Sequence, residues 1–486
     1  MKKLKEILFK VNIDSVYGDT EINVSKITFD SREVENNTLF VAISGHNYDG
    51  HDYISQSVRN GASVVICEKL PANFKESNIV FISVKCSKAA LSIISSNFFD
   101  NPSSKIDLIG VTGTNGKTTI STLLSNLFNE LQLKTGLIST INIRYGKYME
   151  DSKNTTPDPV TINFHLSEMI KRKIKVCFIE VSSHGIFQKR VLGLKFKGMV
   201  FTNITHDHMD YHKSFKDYRD TKKIVFDSLS KNSFALINKD DRNAEYMVQN
   251  TKANTYTYSL KSNSNFSCRI IEQQLDGMLL SIDNSEIWTK LIGKFNASNI
   301  LAIYSVGRLY NLDKINLLTG ISNLESVVGR LQSFLSKNKV RVIIDYAHTP
   351  DAIKNVISTI NNIKKSNQNL ITVIGCGGDR DKDKRPIIGK ISSDLSSRVI
   401  FTSDNPRSED PKSIINDMIQ GVSNFNNDKV LIEVERKKAI KQAKENSVKG
   451  DIVLIAGKGH EDYQELNNNE KIYFDDFKLA KEIFNK

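Results

Sequence analysis

The stretch GVTGTNGKTT, residues 110–119, constrains the fold of this chain more than any other feature. It follows the apolar, β-branched run KIDLIGV and leads into Ile120, Leu123, Leu124, Leu127, Phe128 and Leu131, which recur at helical spacing. Strand, glycine loop and helix in that order make the opening unit of a nucleotide-binding sheet. Glycines let backbone amides close on phosphate oxygens, and a helix start favours an anion through its dipole. Lys117 is placed to neutralise terminal phosphates, and Thr118 offers a hydroxyl to Mg2+. Five residues separate Gly110 from Gly116, where the strict phosphate-loop pattern has four.

The same alternation runs on along the chain. KVCFIEV, GMVFTNI and FALIN read as buried strands between helical stretches, so a mostly parallel α/β sheet is expected around the loop. TYTYSL and the strands turned at Asp276 and Gly277 are expected to form a smaller β insert. The turn-rich DNPSSK at 100–105 closes an N-terminal region containing VSKITFDSR, TLFVAISG and KAALSIISSNFF. Past GRLQSF the pattern restarts: VRVIIDYAH, NLITVIGCGG, RVIFTSDN and DIVLIAGKG each end in a polar or Gly-rich loop, where open α/β sheets carry their ligands. The expected fold class is α/β in three domains: a small N-terminal α/β domain at 1–103, a central phosphate-loop ATPase domain with a parallel sheet at 104–333, and a Rossmann-like domain at 334–486.

Three domains suit 486 residues at roughly 100–200 per domain. The net charge of +12 would suit any polyanion, but the lysines are dispersed and form no basic run or stacking motif, which argues against nucleic acid. Five widely spaced cysteines without a CxxC pair read as free thiols in a reducing compartment. No apolar run approaches a membrane span and the first residues lack a signal-peptide core, so a cytoplasmic location is expected.

A second constellation lies downstream of the loop. Glu180 ends the strand in IEVSSHG, and Asp207, His208, Asp210 and His212 gather in TNITHDHMDYH after the next one. Acid and imidazole groups at neighbouring strand ends are expected to build a metal and substrate site.

The strings GKFNASN (293–299), VVGRLQ (327–332), DYAHTPD (345–351), GCGGDRDKDKRP (375–386), SDNPR (403–407) and AGKGHEDYQ (456–464), in this order after GTNGKTT, resemble the Mur ligase family of peptidoglycan synthesis. DSR at 30–32, SGHNYDG, NTT at 154–156 and EVSSHG with Gln188 and Arg190 point to the branch that adds the third residue of the peptide, and away from the related folylpolyglutamate ligases. The resemblance implies ATP-driven amide ligation on UDP-N-acetylmuramoyl-L-alanyl-D-glutamate, through an acyl phosphate, with Mg2+ as cofactor and ATP as co-substrate. Its partners are then small molecules, with no nucleic acid and no insertion into a membrane.

Carried over residue by residue, the resemblance places the ATP phosphates on Gly113, Thr114, Asn115, Gly116, Lys117, Thr118 and Thr119, and the rest of the nucleotide near Asn296, Asn299, Arg330 and Asp345. It implies Thr118, Glu180, His208 and a carbamylated Lys222 as metal ligands, and Lys117, Lys222, His208 and Glu180 as the catalytic set. Phe29, Ser31, His46, Asn47 and Tyr48 match the contacts to the uridine end of the substrate; Asn154, Thr155, Thr156, Ser182, Gln188 and Arg190 match those to the muramoyl peptide. Arg380, Asp404, Asn405, Pro406, Arg407, Gly457 and Glu461 match the site of the incoming amino acid. Arg407 favours meso-diaminopimelate over lysine, because a guanidinium grips a second carboxylate in bidentate fashion. The chain departs from the family pattern at His206, Val328 and Asp383.

Overall fold

Among the described residues three large sheets, each covered by its own helices, organise the fold, and two two-stranded sheets join them. The computed structural model describes residues 1–485 apart from 46–47, 73, 75–78, 208, 210, 424–427 and 468–469. Among the described residues the largest sheet has eleven strands. Its middle is parallel: Thr135–Ile138, Val176–Glu180, Asp107–Thr112, Phe196–Phe201, Phe234–Asn238 and Asn254–Ser259 lie side by side in that order. The central strands are apolar along their length because both faces are covered. Ile109 and Val111 pack in one core with Leu123, Leu124 and Leu127 of helix Lys117–Glu130, while Leu108 packs in the other with Leu166 and Phe226.

TYTYSL is not part of an insert. It is the strand Asn254–Ser259, paired in parallel with Phe234–Asn238, and its Tyr258 is buried in the first core. The antiparallel extension begins only at Phe266–Gln274, which turns at Asp276 and Gly277 into Gly277–Ile282 as its sequence leads one to expect. At the opposite edge a hairpin, Asn142–Tyr145 and Tyr148–Asp151, extends the sheet.

The C-terminal sheet has six strands. Arg341–Asp345, Ile452–Ala456, Leu370–Ile374, Arg398–Phe401 and Val430–Ile432 are parallel, and Gln332–Leu335 adds an antiparallel edge. The loops carrying DYAHTPD, AGKGHEDYQ, GCGGDRDKDKRP and SDNPR therefore leave one end of one sheet. In the N-terminal sheet, Lys26–Thr28, Thr38–Val41, Ala62–Cys67 and Val80–Val84 are parallel, with Ile13–Tyr17 antiparallel at the edge.

Three helices that follow these loops share one kind of start. Asp158, Thr349 and Asp410 each accept a backbone amide with the side chain, from Thr161, Ala352 and Lys412, and each is followed by proline. The cap satisfies an orphan donor, and proline at the first helical position has none to satisfy. The loops 154–157, 345–348 and 404–409 are thus fixed at their downstream ends. The five cysteines are free and all but Cys86 are buried. Among the described residues no helix is long and apolar enough to cross a membrane.

Candidate active site

The glycine loop is held from three sides. Asn203, just past the strand Phe196–Phe201, accepts the Thr114 amide through its carbonyl at 2.8 Å and the Asn115 amide through Oδ1 at 3.0 Å. Thr114 Oγ1 lies 3.0 Å from the Tyr218 hydroxyl. Gly116 has φ +91°, and a side chain there would come within 2.8 Å of Asn299 Oδ1, so glycine is required on both counts. Asn299 Nδ2 donates to Asn296 Oδ1 at 3.1 Å, and Asn296 Nδ2 to Ile292 O at 2.9 Å. Both asparagines thus stand against the loop, with Thr118 and Thr119 buried in the first helical turn.

Two amines meet over this loop. Lys117 Nζ donates to Gly113 O at 2.9 Å and to Thr114 O at 2.8 Å. Lys222, on helix Phe215–Asp227, donates to the same Gly113 O at 3.1 Å and lies 4.6 Å from the centre of the Tyr218 ring. Desolvation lowers the pKa of both, and it drives Lys222 well below the usual lysine range, helped by the nearby charge of Lys117. Glu180 faces them as a wholly buried carboxylate that burial pushes upward. It accepts from Thr118 Oγ1 at 2.9 Å, from the Thr140 amide at 2.6 Å and from Thr140 Oγ1 at 3.0 Å, and has no cation within ion-pair distance among the described residues. His208 and Asp210 lie outside the described residues. His206 is exposed, and His212 is buried.

The expected muramoyl contacts form one network beside Glu180. Thr156 Oγ1 donates to Glu180 O at 2.8 Å and accepts the Ser182 amide at 2.9 Å, while Ser182 Oγ caps the short helix Ser183–Phe187. Arg190 donates to Thr156 O at 2.6 Å and through Nε to Gln188 Oε1 at 3.0 Å, and Gln188 passes on to the Tyr211 hydroxyl at 3.0 Å. Thr155 Oγ1 lies 3.1 Å from Thr140 Oγ1, within hydrogen-bond distance, whereas Asn154 is exposed. Among the N-terminal residues, Phe29 and Tyr48 are exposed and Ser31 is buried; His46 and Asn47 lie outside the described residues. Hydrogen bonds from Arg32 hold the Asp30 carboxyl, beside Phe29 and Ser31, below its usual range.

Across from the glycine loop, the linker supplies Arg330. Its Nη2 donates to Thr118 Oγ1 at 3.4 Å and its guanidinium carbon sits 4.4 Å from the Tyr346 ring centre; its buried Nε has no partner among the described residues. Both Asp345 oxygens accept backbone amides, of Leu331 and Ala347, each at 2.7 Å, so this carboxylate fastens the linker to the C-terminal sheet. Asn115 Nδ2 also crosses, to Asp351 Oδ2 at 3.3 Å.

At the ends of the C-terminal strands, Asn405 joins Glu461 and Lys458. Its Nδ2 donates to Glu461 Oε2 at 2.8 Å and its Oδ1 accepts from the wholly buried Lys458 at 2.9 Å. Burial and the Asp404 charge push the Glu461 carboxyl upward. Gly457, at φ +112°, leaves no room for a side chain beside Asp404 Oδ2. Pro406 is buried, Arg407 is part-buried and donates to Glu465 and Gly378, and Arg380 is exposed. The two arginines come together over Gly377, whose Cβ would lie 3.1 Å from Arg407 Nη1 and 3.7 Å from Arg380 Cγ. Beneath them Arg385, fully buried, pairs with Glu409 at 2.7 Å and Asp417 at 2.9 Å, which locks the two loops together.

Several of these residues escape motif reading. Lys458, Arg385 and Asn203 lie inside motifs already picked out, but Thr140, Tyr218, Glu409 and Glu465 belong to none of them.

A glycine loop with a buried carboxylate and two amines, facing a second sheet whose strand ends carry paired arginines and carboxylates, defines a nucleotide-dependent ligase built from separate domains. Three family models match in succession: Mur ligase family, catalytic domain, at 23–102; Mur ligase middle domain, at 111–307; and Mur ligase, glutamate ligase domain, at 329–459. The chain belongs to the Mur ligase family. It is 46% identical over 482 residues to the UDP-N-acetylmuramoyl-L-alanyl-D-glutamate--2,6-diaminopimelate ligase of Cytophaga hutchinsonii, and 46% identical over 486 residues to the ligase of that name from Bacteroides fragilis, with 99% of both chains covered in each case. A solved structure of a ligase with the same name superposes with a TM-score of 0.68 at 29% identity, covering 99% of this chain and 98% of that one.

Proposed function

We propose that this chain joins meso-2,6-diaminopimelate to the D-glutamate of UDP-N-acetylmuramoyl-L-alanyl-D-glutamate, using ATP, in the synthesis of peptidoglycan precursors. The observation that carries this reading is the meeting of two half-sites. One activates a carboxylate at the glycine loop, and the other presents cations and a carboxylate suited to a zwitterionic amino acid with a second acid group.

The reaction follows from the charges. The D-glutamate side-chain carboxylate attacks the terminal phosphorus of ATP; the bond to ADP breaks and an acyl phosphate forms. The amine of diaminopimelate then attacks the acyl carbon, and the C–O bond breaks to release phosphate. Two anions must approach each other in the first step, so cations have to be fixed before substrates arrive. Lys117 and Arg330 supply them on either side of the loop, and the backbone amides at the start of helix Lys117–Glu130 hold the phosphates, the Thr114 and Asn115 amides being taken by Asn203. Arg190, Gln188, Thr156 and Ser182 orient the muramoyl peptide beside Glu180, and Phe29, Ser31 and Tyr48, with His46 and Asn47, take its uridine end. Arg380, Asp404, Asn405, Pro406, Arg407, Gly457 and Glu461 hold diaminopimelate.

The donors present suit Mg2+. Glu180 is a buried carboxylate satisfied only by hydroxyls and an amide, Thr118 offers a hydroxyl oxygen, and a carbamate on Lys222 would add a third oxygen donor, with His208 completing the expected set. Few protein oxygens, with places left for phosphate and water, are what Mg2+ prefers. When bound, Mg2+ would neutralise charge on the phosphate oxygens. A cytoplasmic location follows from the need for ATP.

Phosphate release in a panel containing ATP, the UDP-muramoyl dipeptide and one amino acid at a time tests the reading. Turnover is expected with diaminopimelate and to be poor with lysine. Release that needs tetrahydrofolate and glutamate, or that DNA or RNA stimulates, would replace this assignment.

A further inference from the structure

We propose that Glu465 is a positioning residue for amino-acid selection: it holds the Arg407 guanidinium so that Nη2 faces the second carboxylate of diaminopimelate. The inference rests on the ligase reading above and gives a role to a residue just outside AGKGHEDYQ. Glu465 Oε2 accepts from Arg407 Nε at 2.9 Å, and Gly378 O accepts from Nη1 at 2.7 Å. Nη2 has no hydrogen-bond partner among the described residues, and the two side chains are 22% and 18% exposed. A guanidinium is a rigid planar fork, so fixing two of its nitrogens fixes the direction of the third.

Glu465 is docked independently of its carboxylate. Its amide donates to Asn405 Oδ1 at 3.0 Å and its carbonyl accepts the Arg407 amide at 3.1 Å. The preceding Gln464 donates through Nε2 to Asp404 O at 2.6 Å. The strand Tyr463–Glu465 therefore rests on the 404–407 loop through its main chain and Gln464, and the Glu465 side chain serves only to aim Arg407. Arg407 needs that support, because its backbone sits at φ +52°, a conformation non-glycine residues adopt only when neighbours impose it.

The charge of Glu465 acts against the substrate's carboxylate, while its hydrogen bond acts for it. Alanine removes both effects, and glutamine keeps the acceptor while removing the charge. Steady-state kinetics on the full-length enzyme separate these. Glu465→Ala should raise KM for diaminopimelate about tenfold, as expected for losing a hydrogen bond to a charged group. Its kcat and its KM for ATP and for the UDP-muramoyl dipeptide should stay near wild type. Glu465→Gln should have a KM for diaminopimelate at or below that of the wild type. In an Arg407→Ala background, adding Glu465→Ala should change that KM little, because the residue acts through the arginine. An unmoved KM in Glu465→Ala, an equal rise in the glutamine variant, or equal effects in both backgrounds would each overturn the inference while the ligase reading stands. A wild-type enzyme that cannot use diaminopimelate would overturn both.

Discussion

Lys222 is expected to work only as a carbamate, and the geometry shows why the free amine is unsuited to its position. Lys117 and Lys222 donate to one oxygen, Gly113 O, at 2.9 and 3.1 Å, so their nitrogens are no more than about 6 Å apart. Burial pushes the Lys222 pKa well below the usual lysine range, and repulsion between two ammonium charges at that spacing, roughly 3 kcal/mol at an effective dielectric of about 20, acts in the same direction. The neutral amine is the form that attacks CO2. The new N–C bond turns the amine into a carbamate and releases a proton. The sign of the interaction with Lys117 then reverses, and the site gains an anionic oxygen donor. Lys222→Ala should lose nearly all phosphate release, and formate or acetate should partly restore it. Removing CO2 and bicarbonate should silence the wild type reversibly, and 13C-bicarbonate should give a carbamate resonance absent from the variant. Acid should act in the same direction, since protonation of the amine below its lowered pKa removes the nucleophile. A fully active Lys222→Ala enzyme, unaffected by added acids, would refute the reasoning.

Three further outcomes follow. Lys117→Ala should remain folded and lose about 2 to 5 kcal/mol of transition-state stabilisation, a fall in kcat/KM of roughly 30-fold to several thousand-fold, because among the described residues no other ammonium donates to Thr114 O; wild-type turnover would remove it from the phosphate cradle. Arg407→Ala should lower kcat/KM for diaminopimelate by a comparable factor of about 30 to several thousand while lysine stays a poor substrate, since deleting a cation builds no acceptor for lysine's ammonium; equal use of the two amino acids by the wild type would defeat the selectivity argument. Arg385 holds the Glu409 carboxyl down to about 2 from its ordinary 4.5, so the stability this pair contributes is present above pH 4.5 and lost as pH falls towards 2. Glu409→Gln should therefore melt lower than wild type at neutral pH and converge with it in acid; a gap independent of pH would contradict this.

The parts of the fold that were legible are those in which local chemistry and global placement agree. Apolar strands ending in glycine loops announced both parallel sheets, because a strand buried on both faces must be apolar along its length. The hairpin from Asn142 to Asp151 gave no such signal, since the strand Tyr148–Asp151 buries none of its residues and the pairing of Asn142–Tyr145 to Thr135–Ile138 is a tertiary fact. TYTYSL misled for a related reason. Its alternation of aromatic and hydroxyl residues reads as a half-exposed strand at an edge, whereas its parallel pairing to Phe234–Asn238 is decided by the burial of Tyr258 against a helix more than thirty residues downstream.

The site divides along the same line, and the division says what a motif encodes. Lys117, Glu180, Asn405 and Arg407 could be picked out of their motifs one by one as candidate ligand contacts. The residues that set their state were not. Thr140, forty positions before Glu180, supplies two of its three hydrogen bonds; Tyr218 closes over Lys222; Glu465, fifty-eight positions after Arg407, turns its fork. Thr140 and Glu465 need no particular neighbour in sequence, only a donor or an acceptor delivered by the fold, whereas Tyr218 stands one helical turn before Lys222 on the same helix. Even the pairing of Lys117 with Lys222 has no local signature, although it decides the chemistry. Two lysines that look alike in sequence differ in setting: the fold brings both to a single carbonyl, but Lys222 is buried and its pKa is pushed well below the usual lysine range while Lys117 stays part-exposed.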